Sequence, residues 1–73
     1  MTEHHFVICT DNRDYEVSLE LRKLYEVISD SEAGQHGYLR VVDESGEDYL
    51  YPKSYFLDVD LPERVIERIL HAA

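Results

Sequence analysis

Apolar and polar positions along the chain change period several times, and each change marks the start or end of an element. Phe6 to Thr10 is a short apolar run rich in β-branched residues. The turn-forming cluster Asp11-Asn12-Arg13-Asp14 follows it, so this segment reads as a strand and a loop. Between Tyr15 and Ile28 two periods compete. Tyr15, Val17, Leu19 and Leu21 alternate as in a strand, whereas Leu21, Leu24, Tyr25 and Ile28 have helical spacing. The strand reading is favoured, with Leu24, Tyr25, Val27 and Ile28 on a half-buried sheet and a helical turn near Leu19 to Lys23 as the alternative. Ser29 to Gly37 is polar and glycine-bearing, which suits a loop holding one helical turn that stops at Gly34 or Gly37.

The stretch Gly37 to Phe56, GYLRVVDESGEDYLYPKSYF, carries the strongest local signal. Asp43 suits the first position of a type I turn, Glu44 and Ser45 its centre, and Gly46 the left-handed residue that completes a bulged hairpin. That turn sets a register in which Val42 faces Asp48, Val41 faces Tyr49 and Leu39 faces Tyr51. Leu39, Val41, Tyr49 and Tyr51 then share one face, expected to be the core side. Pro52 has no amide hydrogen, so the ladder ends there or lies at an edge, and Lys53-Ser54 form a tight turn or 3₁₀ step. Tyr55, Leu57 and Val59 alternate in a last strand. Beyond it, Val65, Ile66, Ile69 and Leu70 form one stripe of an amphipathic helix of about three turns that starts at Asp60 or Leu61, with Pro62 in its first turn. Glu63, Arg64, Glu67 and Arg68 cover its opposite side, and His71 stands at its C-terminal end.

The order of elements around GYLRVVDESGEDYLYPKSYF resembles the second half of an SH3-like barrel, in which a strand with an aromatic after Gly precedes an acidic Gly turn. Pro52-Lys53-Ser54-Tyr55-Phe56 is similar to the step before the last barrel strand in that family. The resemblance covers roughly Leu21 to Val59. It implies a mainly β protein, α+β by element count, with a small SH3-like barrel of about five strands and one C-terminal helix. The 73 residues read as one domain, the barrel-like region covering about 6–59 and the helix about 61–72. SH3 domains that take proline-rich peptides line a groove with aromatics and place a Trp where this chain has Tyr38. Only Tyr25, Tyr51 and Tyr55 remain as groove candidates by that resemblance. The N-terminal strand and the C-terminal helix are expected as additions that cover the groove or an exposed sheet edge.

Composition narrows the functional classes. Seven Lys and Arg against sixteen Asp and Glu give a net charge of −9. That field opposes a phosphate backbone and an anionic membrane, and it favours a protein partner with a basic surface. A chain this short buries only about 60% of its unfolded surface, which leaves little room for a cleft. Cys9 lies in an apolar run without a second cysteine, as a buried, inert thiol would. The chain shows no basic, long apolar leader and no stretch near the roughly 20 apolar residues of a membrane span, so a cytoplasmic location is expected.

Four histidines, His4, His5, His36 and His71, lack the two-to-four-residue spacing of a structural zinc site, so no metal is expected. Asp43, Glu44, Glu47 and Asp48 lack the twelve-residue alternation of a calcium loop and read as a solvated hairpin tip. Ser45 is a turn residue rather than a nucleophile, and no catalytic residue or cofactor site is expected. Six tyrosines remain as the chemistry worth following. Core filling accounts for most of them, while Tyr38 and Tyr55 are the ones expected to form a partner-binding patch. The reading is a small acidic non-enzymatic interaction or regulatory protein with candidate partner residues Tyr25, Tyr38, Tyr51 and Tyr55. The alternatives are a structural homo-oligomer pairing through an edge strand or the C-terminal helix, and a small metal-dependent protein or enzyme.

Overall fold

The computed structural model of the protein describes residues 5–72. His4, one of the histidines weighed above, lies outside the described residues. In chain order the elements are β1 (His5–Cys9), β2 (Leu24–Ile28), α1 (Ser31–Gln35), β3 (Tyr38–Val42), β4 (Asp48–Pro52), a 3₁₀ turn (Lys53–Tyr55), β5 (Phe56–Val59) and α2 (Glu63–Leu70). The strands form one antiparallel five-stranded sheet in the order β4-β3-β2-β1-β5. This is a small, mostly β structure with a C-terminal helix, as the sequence implies, but the sheet does not close into a barrel. Nor is the N-terminal strand an added cover: β1 sits inside the sheet, paired with β2 on one side and β5 on the other.

The hairpin forms as its residues predict. Gly46 N donates to Asp43 O at 3.0 Å and Asp43 N to Glu47 O at 3.1 Å, closing the turn. Gly46 takes φ +84°, a conformation that a side chain would strain. Val42 faces Asp48, Val41 faces Tyr49 and Leu39 faces Tyr51. The expectation of a common buried face holds for Val41 and Tyr51 but not for Tyr49, which is half exposed. Tyr49 sits on an edge strand near the turn and hands its hydroxyl to Glu47.

Opposed residues of an antiparallel pair share a face, so the registers sort the sheet into two sides. On one side Val7, Cys9, Tyr25, Val41, Tyr51 and Phe56 form the core together with Leu19, and Val27, Leu39 and Tyr55 pack against them. On the other lie Phe6, Ile8, Leu24, Val42 and Leu57 by the same alternation. Phe6 is buried there without belonging to the core cluster. Helix α2 supplies its cover: Ile69 and Leu70 share a pocket with Phe6, Leu24 and Val42, and Ile66 shares one with Phe6 and Val59. The helix starts after Pro62, whose carbonyl accepts from Val65 N and Ile66 N, and runs for eight residues, which hold the whole apolar stripe but fall short of the expected 61–72.

Two stretches depart from the alternation read in the sequence. Tyr15 to Lys23 is a string of turns rather than a strand. Of its alternating apolar residues only Leu19 enters the core, while Val17 is 94% exposed and Leu21 50%. Asp14 and Arg22 take positive φ and bend the chain, and Asn12 Nδ2 donates to Leu19 O at 2.9 Å to hold the bend closed. In the last strand Phe56 is buried and Leu57 is 62% exposed. The 3₁₀ turn takes up Tyr55 and resets the phase before the strand begins. The helical turn allowed between Ser29 and Gly37 is α1, capped by Asp30, whose carboxylate accepts from Ala33 N.

Candidate protein-binding surface

The four candidate tyrosines do not share one surface. Tyr25 and Tyr51 are 5% and 3% exposed, with their hydroxyls used inside the protein. Tyr38 is exposed on β3 and has the parity of Arg40 and Val42, the helix-side face of the sheet. Tyr55 is half buried against the core on the opposite side. The groove expected from Tyr25, Tyr51 and Tyr55 therefore reduces to Tyr55 at the surface. The pairing of Tyr38 with Tyr55 in one patch is likewise corrected, because the sheet stands between them.

The structure gives Tyr55 a different neighbour, Tyr15. Their ring centroids lie 6.0 Å apart at 69°, and Tyr15 meets Tyr51 edge-on at 5.0 Å and 87°. Tyr51 in turn meets Phe56 at 6.4 Å and 68°, so a chain of edge-to-face contacts runs from the surface into the core. Tyr15 is 37% exposed. Its position depends on the loop between β1 and β2: Tyr15 N donates to Asn12 O, and Tyr15 O accepts from Ser18 N and Leu19 N. The burial of Leu19 thereby holds Tyr15 against Tyr51. Tyr15 is visible in the sequence only as one of six tyrosines. The turn cluster before it and the apolar positions after it gave no sign that the loop would fold back over the sheet.

Tyr55 is anchored at both ends. Its carbonyl accepts from Thr10 N at 2.8 Å, Asp11 N at 3.2 Å and Thr10 Oγ1 at 3.2 Å, and its hydroxyl donates to Arg13 O at 3.2 Å. Loss of solvent raises the pKa of that hydroxyl, and the charges of Asp11 and Asp14 raise it further. Arg13 holds Asp11 through a two-toothed ion pair, with Nη2 2.7 Å from Oδ2, and pulls the Asp11 carboxyl below its usual range. Asp14 and Glu16 flank Tyr15 at exposed positions and make no ion pair among the described residues. Two aromatic edges beside unpaired carboxylates suit the side chains of Arg and Lys, which stack on rings and pair with acids.

The acids of the hairpin tip do different work. Asp43 is 6% exposed and accepts from Ser45 N at 2.8 Å, from Ser45 Oγ and from the Tyr51 hydroxyl. Burial would raise its pKa, but the hydrogen bonds from Ser45 and Tyr51 outweigh that and hold it below the ordinary value. Burial, reinforced by Asp43, pushes the Tyr51 hydroxyl up to about 12. Glu44 pairs with Lys23 and accepts from the Tyr25 hydroxyl at 2.6 Å, and its pKa is lowered by Lys23 first and Tyr25 second. Glu44 N also donates to Ser18 O at 3.1 Å. At the tip Asp43 and Glu44 are tied to the core and the β1–β2 loop, while Glu44 to Asp48 stay exposed, as the composition suggests.

The other candidate groups are dispersed. Cys9 is fully buried, donates to Asp11 O at 3.3 Å, and has its thiol pKa pushed up by burial. His5 lies 2.9 Å from Asp58, while His36 and His71 stand at the C-terminal ends of α1 and α2. Among the described residues no group of three or more His, Cys, Asp or Glu is placed to hold a metal ion, and no helix is long and apolar enough to cross a membrane. Comparison with protein-family models, with curated proteins and with solved structures finds no match to this chain.

Proposed function

We propose that this protein is a non-enzymatic interaction or regulatory module of the cytoplasm, built on an SH3-like frame, whose working surface is the Tyr15–Tyr55 pair with Asp14 and Glu16. The frame reading is supported by the five-strand order and by the 3₁₀ turn placed before the last strand. The partner is a protein segment carrying Arg or Lys. Stacking on Tyr15 and Tyr55 contributes affinity, and the carboxylates together with the net charge of −9 draw the segment in.

The observation that carries this reading is the edge-to-face pair itself, with Tyr15 seated on Tyr51 below and both rings left partly open to solvent. An array of immobilised peptides varied in Arg and Lys content tests it. Basic peptides are expected to bind, to lose binding with Tyr15→Ala and Tyr55→Ala, and to weaken with Asp14→Asn and with added salt. Unchanged binding by both tyrosine variants would remove the surface from consideration. Loss on Tyr38→Ala alone would move the site to the helix side of the sheet.

A further inference from the structure

We propose that two copies of this chain pair antiparallel through β4, about a two-fold axis at Leu50, to give one continuous sheet. Strand β4 has β3 on one side and no strand on the other among the described residues. Its backbone orientation follows from the hydrogen bonds at its two ends. Glu47 O accepts from Asp43 N at 3.1 Å, and Lys53 N donates to Gly37 O at 2.9 Å. Both residues address β3, so by antiparallel alternation Tyr49 and Tyr51 do too, and Asp48, Leu50 and Pro52 turn their backbone groups outward. Pro52, with no N–H, falls at one of these outward positions and removes nothing from the β3–β4 ladder.

A two-fold axis perpendicular to the sheet keeps each side chain on its own face only when opposed residue numbers have an even sum. Of the outward-facing centres, Asp48 would set two carboxylates against each other and Pro52 would bring no donor. Leu50 brings both an N–H and a C=O, and with the second copy it exchanges both bonds. Asp48 N–H then meets Pro52 C=O of the second copy on either side of the axis.

The side chains fit that centre. Leu50, 45% exposed, meets its own copy, and Tyr49, 50% exposed, comes opposite Tyr51 of the second copy. Glu47, just before β4, comes near Lys53 of the second copy, the first residue of its 3₁₀ turn, and the symmetry makes that approach twice. Lys53 has no ion pair among the described residues, and the Glu47 carboxylate there accepts only from the hydroxyl of Tyr49, at 3.3 Å. An edge strand with exposed apolar residues on both faces and complementary charges at its ends is a template for strand pairing.

Sedimentation equilibrium over a concentration series tests the pairing, with the mass expected to rise from 8.6 kDa toward twice that value. Leu50→Lys should abolish the rise. Lys53→Glu and Glu47→Lys should each weaken the dimer by about tenfold or more. The double variant Glu47→Lys/Lys53→Glu restores opposite charges and should recover it, with thermal melting of each variant confirming the fold. Leu57→Lys on β5 and Tyr15→Ala should leave the dimer intact, which separates this surface from the Tyr15–Tyr55 reading. The pairing is overturned by a mass of one chain at every concentration, by a dimer that survives Leu50→Lys, by one that Leu57→Lys removes, or by a double variant as weak as the singles.

Discussion

The two sides of the sheet are covered in different ways. On the core side the cover is a loop, and it is fastened by polar groups as well as by packing. Leu19 enters the core, Glu44 N reaches Ser18 O, Glu44 joins Lys23 to Tyr25, and Asp43 joins the hairpin turn to Tyr51. On the other side the cover is helix α2, none of whose residues is buried. Its apolar stripe meets Phe6, Leu24 and Val59, and none of its side chains makes a hydrogen bond or ion pair to the rest of the described residues. Apolar contact is non-directional, so packing alone holds the helix, whereas hydrogen bonds and ion pairs tie the loop at named residues. The surface proposed for partner binding lies on the fastened side. This is the arrangement a preorganised binding site needs.

The largest expected effect that would test this contrast is at Leu19. Leu19→Ala removes a fully buried side chain and should lower stability by about 3 kcal/mol in denaturant titrations, with release of Tyr15 from Tyr51 visible in ring chemical shifts. Next is Asp43→Ala, which leaves the buried Tyr51 hydroxyl without its acceptor and should destabilise by about 2 kcal/mol. Gly46→Val forces a β-branched residue to φ +84° and should lower stability by roughly 1–2 kcal/mol. Ile66→Ala on α2 removes only half-buried surface and should lose about 1 kcal/mol. If Ile66→Ala proved as damaging as Leu19→Ala, the contrast between the two sides would fail.

The pH dependence sharpens the same contrast, because the shifted buried groups all lie on the core side. The native pKa of Asp43 is below its reference value of 3.8, so its contribution to stability is present above that value and is lost as pH falls through the depressed native one. In Asp43→Asn that part of the acid limb should flatten. The Tyr51 hydroxyl has the opposite sign. Raised from 10.0 to about 12, it contributes stability below pH 10 that disappears as pH rises toward 12. Absorbance titration of phenolate should accordingly show Tyr25 and Tyr51 ionising only as the fold opens. The smallest effect is expected for Lys23→Ala, an exposed pair whose loss should shift the melting temperature slightly at low salt and not at all at high salt.

Much of the hairpin was legible before any tertiary contact was known. Asp43 and Gly46 fix the turn because few other residues bond their own backbone or accept positive φ, and the turn then fixes every cross-strand pair from Tyr38 to Pro52. Pro52 and the residues after it set the strand end and the 3₁₀ step for equally local reasons. The region from Tyr15 to Lys23 was not legible in this way. Alternation at Tyr15, Val17, Leu19 and Leu21 is compatible with a strand, and only the depth of the core shows that Leu19 alone of the four goes in. The same limit applied to the site. Which tyrosines reach the surface depends on Tyr15 lying against Tyr51 and Tyr55 across separations of 36 and 40 residues. Sequence alone thus determined the elements whose conformations are set by their own side chains: the hairpin, its register and the 3₁₀ step. Tertiary structure decided which face each element presents and which acids serve as ties, because those outcomes depend on how far apart segments pack, and residue spacing carries no record of that.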